Sequence, residues 1–431
     1  MRRPVVVFED DHVGSLCPLA FTRPVFDLIC GILPLREKVC TYLRAAVGKG
    51  MKPFWHQLPE GDPDIRFHLR DYLASGHGAA VASYQALAEQ FDSLTFINGR
   101  LLFGEDTLDG FDAGWRGKYV CGDNVVMANV SKDMIPGLDR YRGALLGSHV
   151  FSDLPARELK ARLIQYPWEL VSLNGEEIDR DFALLGGAGS HAEVPAGVHV
   201  VGKDNLRMGK GVKLGPGAVI DASSGPVNLD SEVVLMPNAS LQGPVHVGSG
   251  TTVRMGATIY GGTSIGPVCK IGGEIGETII QGYSNKQHGG FLGHSYLGEW
   301  VNLGAGTNVS DLKNNYSTVR VSIDGKEVDS GEMFVGVFMG DHSKSGIGTI
   351  LNTGTVVGVC CNVFGGDYPP KNIPSFTWGG SSGFEEYDPD KAIETAVRAT
   401  GRRGRTLDSQ GRMVLRKVFE LTAGERQAFL A

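Results

Sequence analysis

The sequence predicts two domains of different class, an α/β domain in front and a parallel β-helix behind it. Residues 4–8 (PVVVF) and 94–99 (LTFING) read as short buried strands with helix-like stretches between them, the alternation of a sheet covered by helices. From Leu229, every sixth residue is aliphatic: Leu235, Leu241, Val247, Val253, Ile259, Ile265 and Ile271. That period suits neither a simple helix nor a simple strand. The chain also holds 61 glycines in 431 residues, about twice the average share, and the excess begins near residue 189.

The α/β region runs to about residue 150, with helical patterns over Leu35–Leu43 and Ala80–Gln90. Residues 151–188 read as a connector, in which RELKARLIQYPW is an amphipathic helix ended by Pro167. The β-helix is expected over 189–385. Four residues after each aliphatic position comes an uncharged, mostly small one: Val233, Ala239, Val245, Thr251, Ala257, Thr263, Cys269 and Ile275. Such a hexad puts one aliphatic side chain per short strand into a triangular interior, with three hexads to a coil. An earlier phase runs through Met208, Leu214 and Ile220. The register is expected to resume at Phe291, Leu297, Leu303 and Val309, and again at Leu351, Val357 and Val363. Phase is lost over 276–290 and 310–333, insertions of the kind that form loops on one face of a solenoid. Residues 386–431 are charged and helix-like, a C-terminal cap or appendage.

A net charge of −7 with pI near 5.9 gives no basic footprint for nucleic acid. No stretch reaches the ~20 apolar residues of a membrane span, and MRRPVVVFEDD is not a secretory signal. Seven cysteines without a CxxC pair read as reduced, buried thiols, and with them a cytoplasmic location is expected.

Two histidines flank the first break, His288 and His294, in NKQHGGFLGHSYLGEWVNLGAGT. Acyl transfer from a thioester to an amine needs a base for the ammonium and donors for the oxyanion, and histidine suits the first task at neutral pH. The hexad rule resembles the left-handed β-helix acyltransferases. The stretch from Ser284 to Thr307 resembles the acetyltransferase half of the bifunctional UDP-N-acetylglucosamine pyrophosphorylase/glucosamine-1-phosphate N-acetyltransferase (GlmU) family. Its motif has the form S-K-x-x-H-L-x-Y-L-G-(8)-N-I-G-A-G-T, and His288, Leu292, Gly293 and Asn302 through Thr307 match it without a gap.

The resemblance implies acetyl-CoA as acyl donor and an amino sugar phosphate as acceptor. It puts the base on His288, acceptor binding on Asn302 and donor contacts on Ala305, Thr307 and Thr353. The motif tyrosine falls on Phe291, whose missing hydroxyl Tyr296 is placed to supply. HSYLGEW copies the histidine motif too, but making His294 the base requires five residues to be missing before NLGAGT, so both histidines remain candidates. The family's acceptor-binding arginine and lysine fall on Thr258 and Gly276, which cannot bind phosphate, leaving Lys270 and Lys286 as substitutes. Lys313 and Lys344 are the candidates for donor phosphates.

In front, PLAFTRPVFDL resembles the later half of a sugar nucleotidyltransferase signature, while EDDH stands where its glycine-rich loop would be. Arg23 and Lys38 are the candidate substrate cations. Glu9, Asp10 and Asp11 either hold a metal or stay solvated as caps. Arg100 stands after Asn98-Gly99 where the family's magnesium aspartate is expected, and Asp123 is a weaker alternative. The opening, the YPW connector and the NKQH…GHSYLGEW segment together resemble a GlmU-like sugar nucleotidyltransferase subfamily along nearly the whole chain. That resemblance implies Mg²⁺ and a nucleoside triphosphate if the front domain is active, and a homotrimer. Two further readings stay open. The front domain is a sugar-1-phosphate nucleotidyltransferase with the β-helix as a trimerisation scaffold, or the chain is a non-catalytic sugar-nucleotide-binding protein.

Overall fold

The computed structural model describes residues 4–48, 65–75, 78–104, 107, 110–112, 114–190 and 193–431. They form two units. The first comprises Met1–Gly14, Arg23–Leu28 and Leu33–Gln165, and the second Ser15–Thr22, Ile29–Ile32 and Tyr166–Ala431. No helix among the described residues is long and apolar enough to cross a membrane.

The front unit is built on a six-stranded mixed sheet of β1 (Val5–Phe8), β2 (Ile65–His68), β3 (Ser93–Asn98), β4 (Lys118–Cys121), β5 (Asn124–Ser131) and β6 (Ala156–Glu158), in the order β2-β1-β3-β5-β4-β6. β1 lies parallel to both β2 and β3, and β5 runs antiparallel to β3 and β4. All four residues of β1 are buried, as an unbroken apolar run covered on both faces requires. The helix expected at Ala80–Gln90 is shorter, Tyr84–Gln90, because Ser83 caps it by accepting from the Ala86 N–H.

The connector departs from expectation. Residues 156–158 pair with β4 as a strand, and the helix begins where it was expected to stop, at Pro167, running to Leu184. A proline at the first helical turn gives up an N–H that has no intrahelical partner there, so the ring opens a helix as readily as it breaks one.

The second unit is a parallel β-helix whose longest face is a ten-stranded sheet. Val234 pairs with Thr252 and Thr252 with Lys270, eighteen residues per coil. Leu229, Leu235, Leu241, Val247, Val253, Ile259, Ile265 and Ile271 all enter one continuous core. Beyond Ile271 the coils shorten. Lys270 pairs with Asn285 and Asn285 bridges Asn302, fifteen and seventeen residues on. The shortening moves the interior position by one residue, so Leu292, not Phe291, is the buried core residue, and Phe291 faces outward, half-buried. The second break, 310–333, carries an antiparallel hairpin, Arg320–Ile323 with Lys326–Asp329. The C-terminus forms helices Pro389–Gly401, Ser409–Leu421 and Ala423–Leu430. All seven cysteines are free, five of them buried, with Cys17 and Cys121 half-buried.

The corners of the coil explain the glycines, because many corner residues have positive φ. Where the corner is not glycine, backbone strain is accepted. Val268, Tyr283, Trp300, His342, Cys360 and Phe376 all have φ between 53° and 60°. A left-handed conformation is rare for bulky residues and marks positions where the side chain matters.

Candidate functional site

In the front unit, the C-terminal ends of β1 and β3 converge where a doubly wound sheet usually binds ligands. Arg100 is fully buried there. Its Nε and Nη2 donate to the two Asp10 carboxylate oxygens at 2.8 and 2.6 Å, and its Nη1 donates to the Ile164 carbonyl at 2.7 Å. Asn98 Nδ2 adds a bond to Asp10 at 2.8 Å. Burial works against the Asp10 charge, but Arg100 outweighs it and holds this carboxyl below its ordinary value. Glu9 is clamped the same way by Arg70, at 3.1 and 3.0 Å, and accepts from the Val25 N–H.

Glu9 and Asp10, two of the three acids expected either to hold a metal or to stay solvated, are therefore neutralised by two forked guanidiniums, Asp11 is exposed, and Arg100 adds a positive charge where a cation would have to sit. No cluster of three potential metal ligands exists among the described residues. These residues do not fit Mg²⁺. Arg23 and Lys38 are buried rather than displayed to a substrate.

In the β-helix unit, one outer face carries a ladder across successive coils. Lys270 pairs with Asn285, which bridges Asn302, which bridges Lys344. Beside this ladder runs the strained corner. The Tyr283 and Trp300 rings stack at 4.5 Å and 11°, and Trp300 lies nearly parallel to His342 at 6.1 Å. The end of the Pro389–Gly401 helix closes the third side. Together these elements line a cavity of about 280 Å³ that Gln287, Ala399, Arg402 and Arg403 complete. That is near the lower end of small-ligand sites, which begin at about 300 Å³. Arg403 donates to Asn285 Oδ1, and Lys344 donates to the His342 carbonyl at 2.7 Å. The lining holds four cationic side chains and no carboxylate.

Three of the residues expected from the sequence meet in this cavity: Lys270, Asn302 and Lys344. Arg402 and Arg403 were missed. Their only sequence signal was the basic run GRRGR, and nothing local says that it folds back on the coil.

Other expectations are corrected. Lys286 is the partner of Ile271 and so points into the coil, where it is buried and donates to the carbonyls of Gly272, His288 and Gly290 at 3.1, 3.0 and 2.6 Å. Burial pulls its ammonium down to about 8. It pins the turn that carries His288 and reaches no substrate. Tyr296 is fully buried, its hydroxyl engaged by Ile29 and Gln281. Thr307 and Thr353 are buried, and their hydroxyls meet Ser345 at 2.7 Å and Ser310 at 2.9 Å. Their side chains are spent inside the protein, which leaves only backbone for a donor. Lys313 donates to the Thr318 carbonyl within its own loop at 2.6 Å. Ala305 sits half-buried in the turn after Asn302.

The two histidines differ sharply. His288 is exposed, next to the cavity-lining Gln287. His294 is held at both ring nitrogens, by Asp311 through Nδ1 and Glu277 through Nε2, each at 2.8 Å, and Phe334 stacks on it at 5.0 Å. Burial opposes its charge, yet the two carboxylates outweigh burial and push it up to about 9.

Residues 5–188 match the family model described as "Sugar nucleotidyl transferase". Among curated proteins, a "Bifunctional sugar-1-phosphate nucleotidylyltransferase/acetyltransferase" of Sulfurisphaera tokodaii is 32% identical over 93 residues, covering 22% of this chain and 23% of that protein. A "Bifunctional protein GlmU" of Rippkaea orientalis is 36% identical over 111 residues, 25% of this chain and 23% of that one. The match thus spans about a quarter of the length of these relatives. Solved structures of UDP-N-acetylglucosamine acyltransferases from Arabidopsis and Bacteroides fragilis align over 56% of this chain and 84% and 86% of theirs, at 17% and 14% identity. Their TM-scores are 0.23 and 0.29. Residues 5–188 are thus similar to sugar nucleotidyl transferases, the chain shares stretches with bifunctional GlmU proteins, and it joins the matched region to a parallel β-helix.

Proposed function

We propose that the β-helix unit transfers an acetyl group from acetyl-CoA to the amine of a phosphorylated amino sugar, and that the front unit binds nucleotide sugar without a divalent cation. The observation that carries this is the cavity, which joins Asn302, the motif asparagine, to Lys270 and Lys344. Those lysines supply the phosphate-binding charge that Thr258 and Gly276 cannot.

His288 is the base. A group of pKa about 9 is only about 1% neutral at pH 7, so His294 is an imidazolium and cannot take a proton. His288, exposed beside the cavity, removes a proton from the substrate ammonium. The freed amine attacks the thioester carbonyl, the C–N bond forms, and the C–S bond breaks with the thiolate leaving and taking up a proton. The Lys286 ammonium positions His288 by holding its carbonyl and that of Gly290. A left-handed coil and assembly as a homotrimer go with this reading. For the front unit, the Asp10–Arg100 pair supports binding over nucleotidyl transfer.

The test is thiol release from acetyl-CoA with glucosamine-1-phosphate as acceptor. Wild type is expected to turn over, His288→Ala to lose about 10²–10⁴-fold in kcat, and His294→Ala to keep most activity. Loss confined to His294→Ala overturns the base assignment. No thiol release, together with Mg²⁺-dependent pyrophosphate release from a sugar-1-phosphate and a nucleoside triphosphate, overturns the acyltransferase reading in favour of a scaffold role for the coil.

A further inference from the structure

An amino sugar phosphate carries one phosphate and no aromatic ring. The cavity is built for more. Lys270 and Lys344 stand three strand spacings apart along the ladder, about 14 Å at ~4.8 Å per step, and the Lys344 ammonium is tied at its own end by the His342 carbonyl. One phosphate cannot meet both. Arg402 and Arg403 add two more charges. Arg403 first, then burial, Arg254 and Arg402 hold the Lys270 ammonium below its ordinary value, the signature of cations gathered without an anion between them. The ladder rungs Asn285 and Asn302 offer amides along the same line.

The aromatic wall has one replaceable contact. Trp300 is enclosed by Tyr283 on one side and His342 on the other. Tyr283 has Trp300 on one side and the exposed Arg405 guanidinium at 5.7 Å. One coil earlier the corner residue is Val268, also at positive φ, so the column of rings stops there. A planar base can displace an exposed guanidinium from the Tyr283 ring and stack in its place. From there a pyrophosphate reaches the cations, and what it carries continues along the ladder.

We infer that this cavity is a nucleoside-diphosphate site, and that the preferred acceptor is an amino sugar carried on a nucleotide, with a free amino sugar phosphate the poorer substrate. The second half rests on the acyltransferase reading above; the first half does not.

The experiment is a calorimetric titration of the full chain with UDP and with ADP, alongside glucosamine-1-phosphate, inorganic phosphate and coenzyme A, with tryptophan fluorescence as a second readout. A nucleoside diphosphate is expected to bind more tightly than either monophosphate and to quench the fluorescence. Tyr283→Leu and Arg402→Gln are each expected to weaken it about tenfold. Arg402 is exposed, so its variant tests the site even if the Tyr283 variant fails to fold. Equal affinity for inorganic phosphate overturns the inference, as does binding that neither variant weakens. Competition by coenzyme A with no binding of UDP or ADP assigns the cavity to the acyl donor and overturns it too. If glucosamine-1-phosphate supports no thiol release while nucleoside diphosphate binding responds to both variants, the nucleotide site stands and the acyl-transfer reading alone falls.

Discussion

At the scale of single residues, His294 is the side chain whose surroundings make the sharpest demand. Its ring joins Glu277 and Asp311 at one edge of the coil. Its folded pKa of about 9 lies above the ordinary 6.5, so the fold binds this proton more tightly than the unfolded chain does. The resulting stabilisation is complete below pH 6.5 and is lost as pH rises through about 9. A shift of that size corresponds to about 3 kcal/mol. Glu277 is 57% exposed and screened by solvent, which leaves about 1–2 kcal/mol. Urea denaturation between pH 6 and pH 10 should show the wild-type stability falling by that amount, and Asp311→Asn should flatten the fall. Parallel pH curves for the two proteins would mean that the pair contributes nothing. Lys286 shows why such residues are hard to read from sequence. A lysine between a turn and two glycines reads as solvated, yet a coil shortened by three residues turns it inward, where backbone carbonyls satisfy it.

At the scale of the coil, the repeating element is strand plus corner, and the corner sets the cost. Glu232, Gly250 and Val268 precede equivalent strands of one face, two residues before Val234, Thr252 and Lys270, and all three have positive φ. An added Cβ at Gly250 would meet nothing nearer than the Val268 side chain at 3.8 Å, so space is no obstacle and only the backbone conformation is penalised. Gly250→Ala should therefore cost about 1 kcal/mol, measured by urea denaturation. An unchanged midpoint would show that the corner relaxes freely, and the argument from strain at Tyr283 and Trp300 would weaken with it. The hexad pattern made this element legible from 229 to 271, because there every coil is eighteen residues and each interior position recurs on time. Beyond Ile271, coils of fifteen and seventeen residues slip the phase, which is why the six-residue count lands on Phe291 and not on its inward neighbour Leu292. The cavity was half legible. Lys270, Asn302 and Lys344 stand out from motif and charge, whereas Arg402 and Arg403 arrive from a helix about a hundred residues away in sequence, and no local pattern encodes that return.

At the scale of the whole chain, the domain boundary that composition suggests is not where the protein divides. Ser15–Thr22 and Ile29–Ile32 belong to the β-helix unit although they lie within the α/β sequence. Their place is fixed by buried hydrogen bonds. The Ile29 N–H donates to the Tyr296 hydroxyl at 2.8 Å, the Gly31 N–H to Asn174 at 2.7 Å and the Ile32 N–H to Asp181 at 2.8 Å. Ser264 returns a bond to the Gly31 carbonyl at 2.6 Å, and Thr22 donates to Asp341 at 2.7 Å. Tyr296, Asn174, Asp181 and Ser264 are fully buried. A chain of residues 166–431 alone keeps these four side chains and loses the partners that residues 15–32 supply, while Tyr296 keeps Gln281 and Asn174 keeps Ser264 and Gly262. Each intact bond contributes about 1 kcal/mol, and each group left buried and unsatisfied costs about 1–3 kcal/mol. Summed over the group, that is a large share of the 5–15 kcal/mol that holds a typical domain together. The isolated 166–431 chain should accordingly melt at least about 10 °C below the β-helix transition of the full protein, or fail to stay soluble. A peptide spanning residues 15–32 should restore part of the difference. If the 166–431 chain melts with the full protein, these threaded segments are ornament to the coil, and the two halves can be separated in the same way that their sequences can.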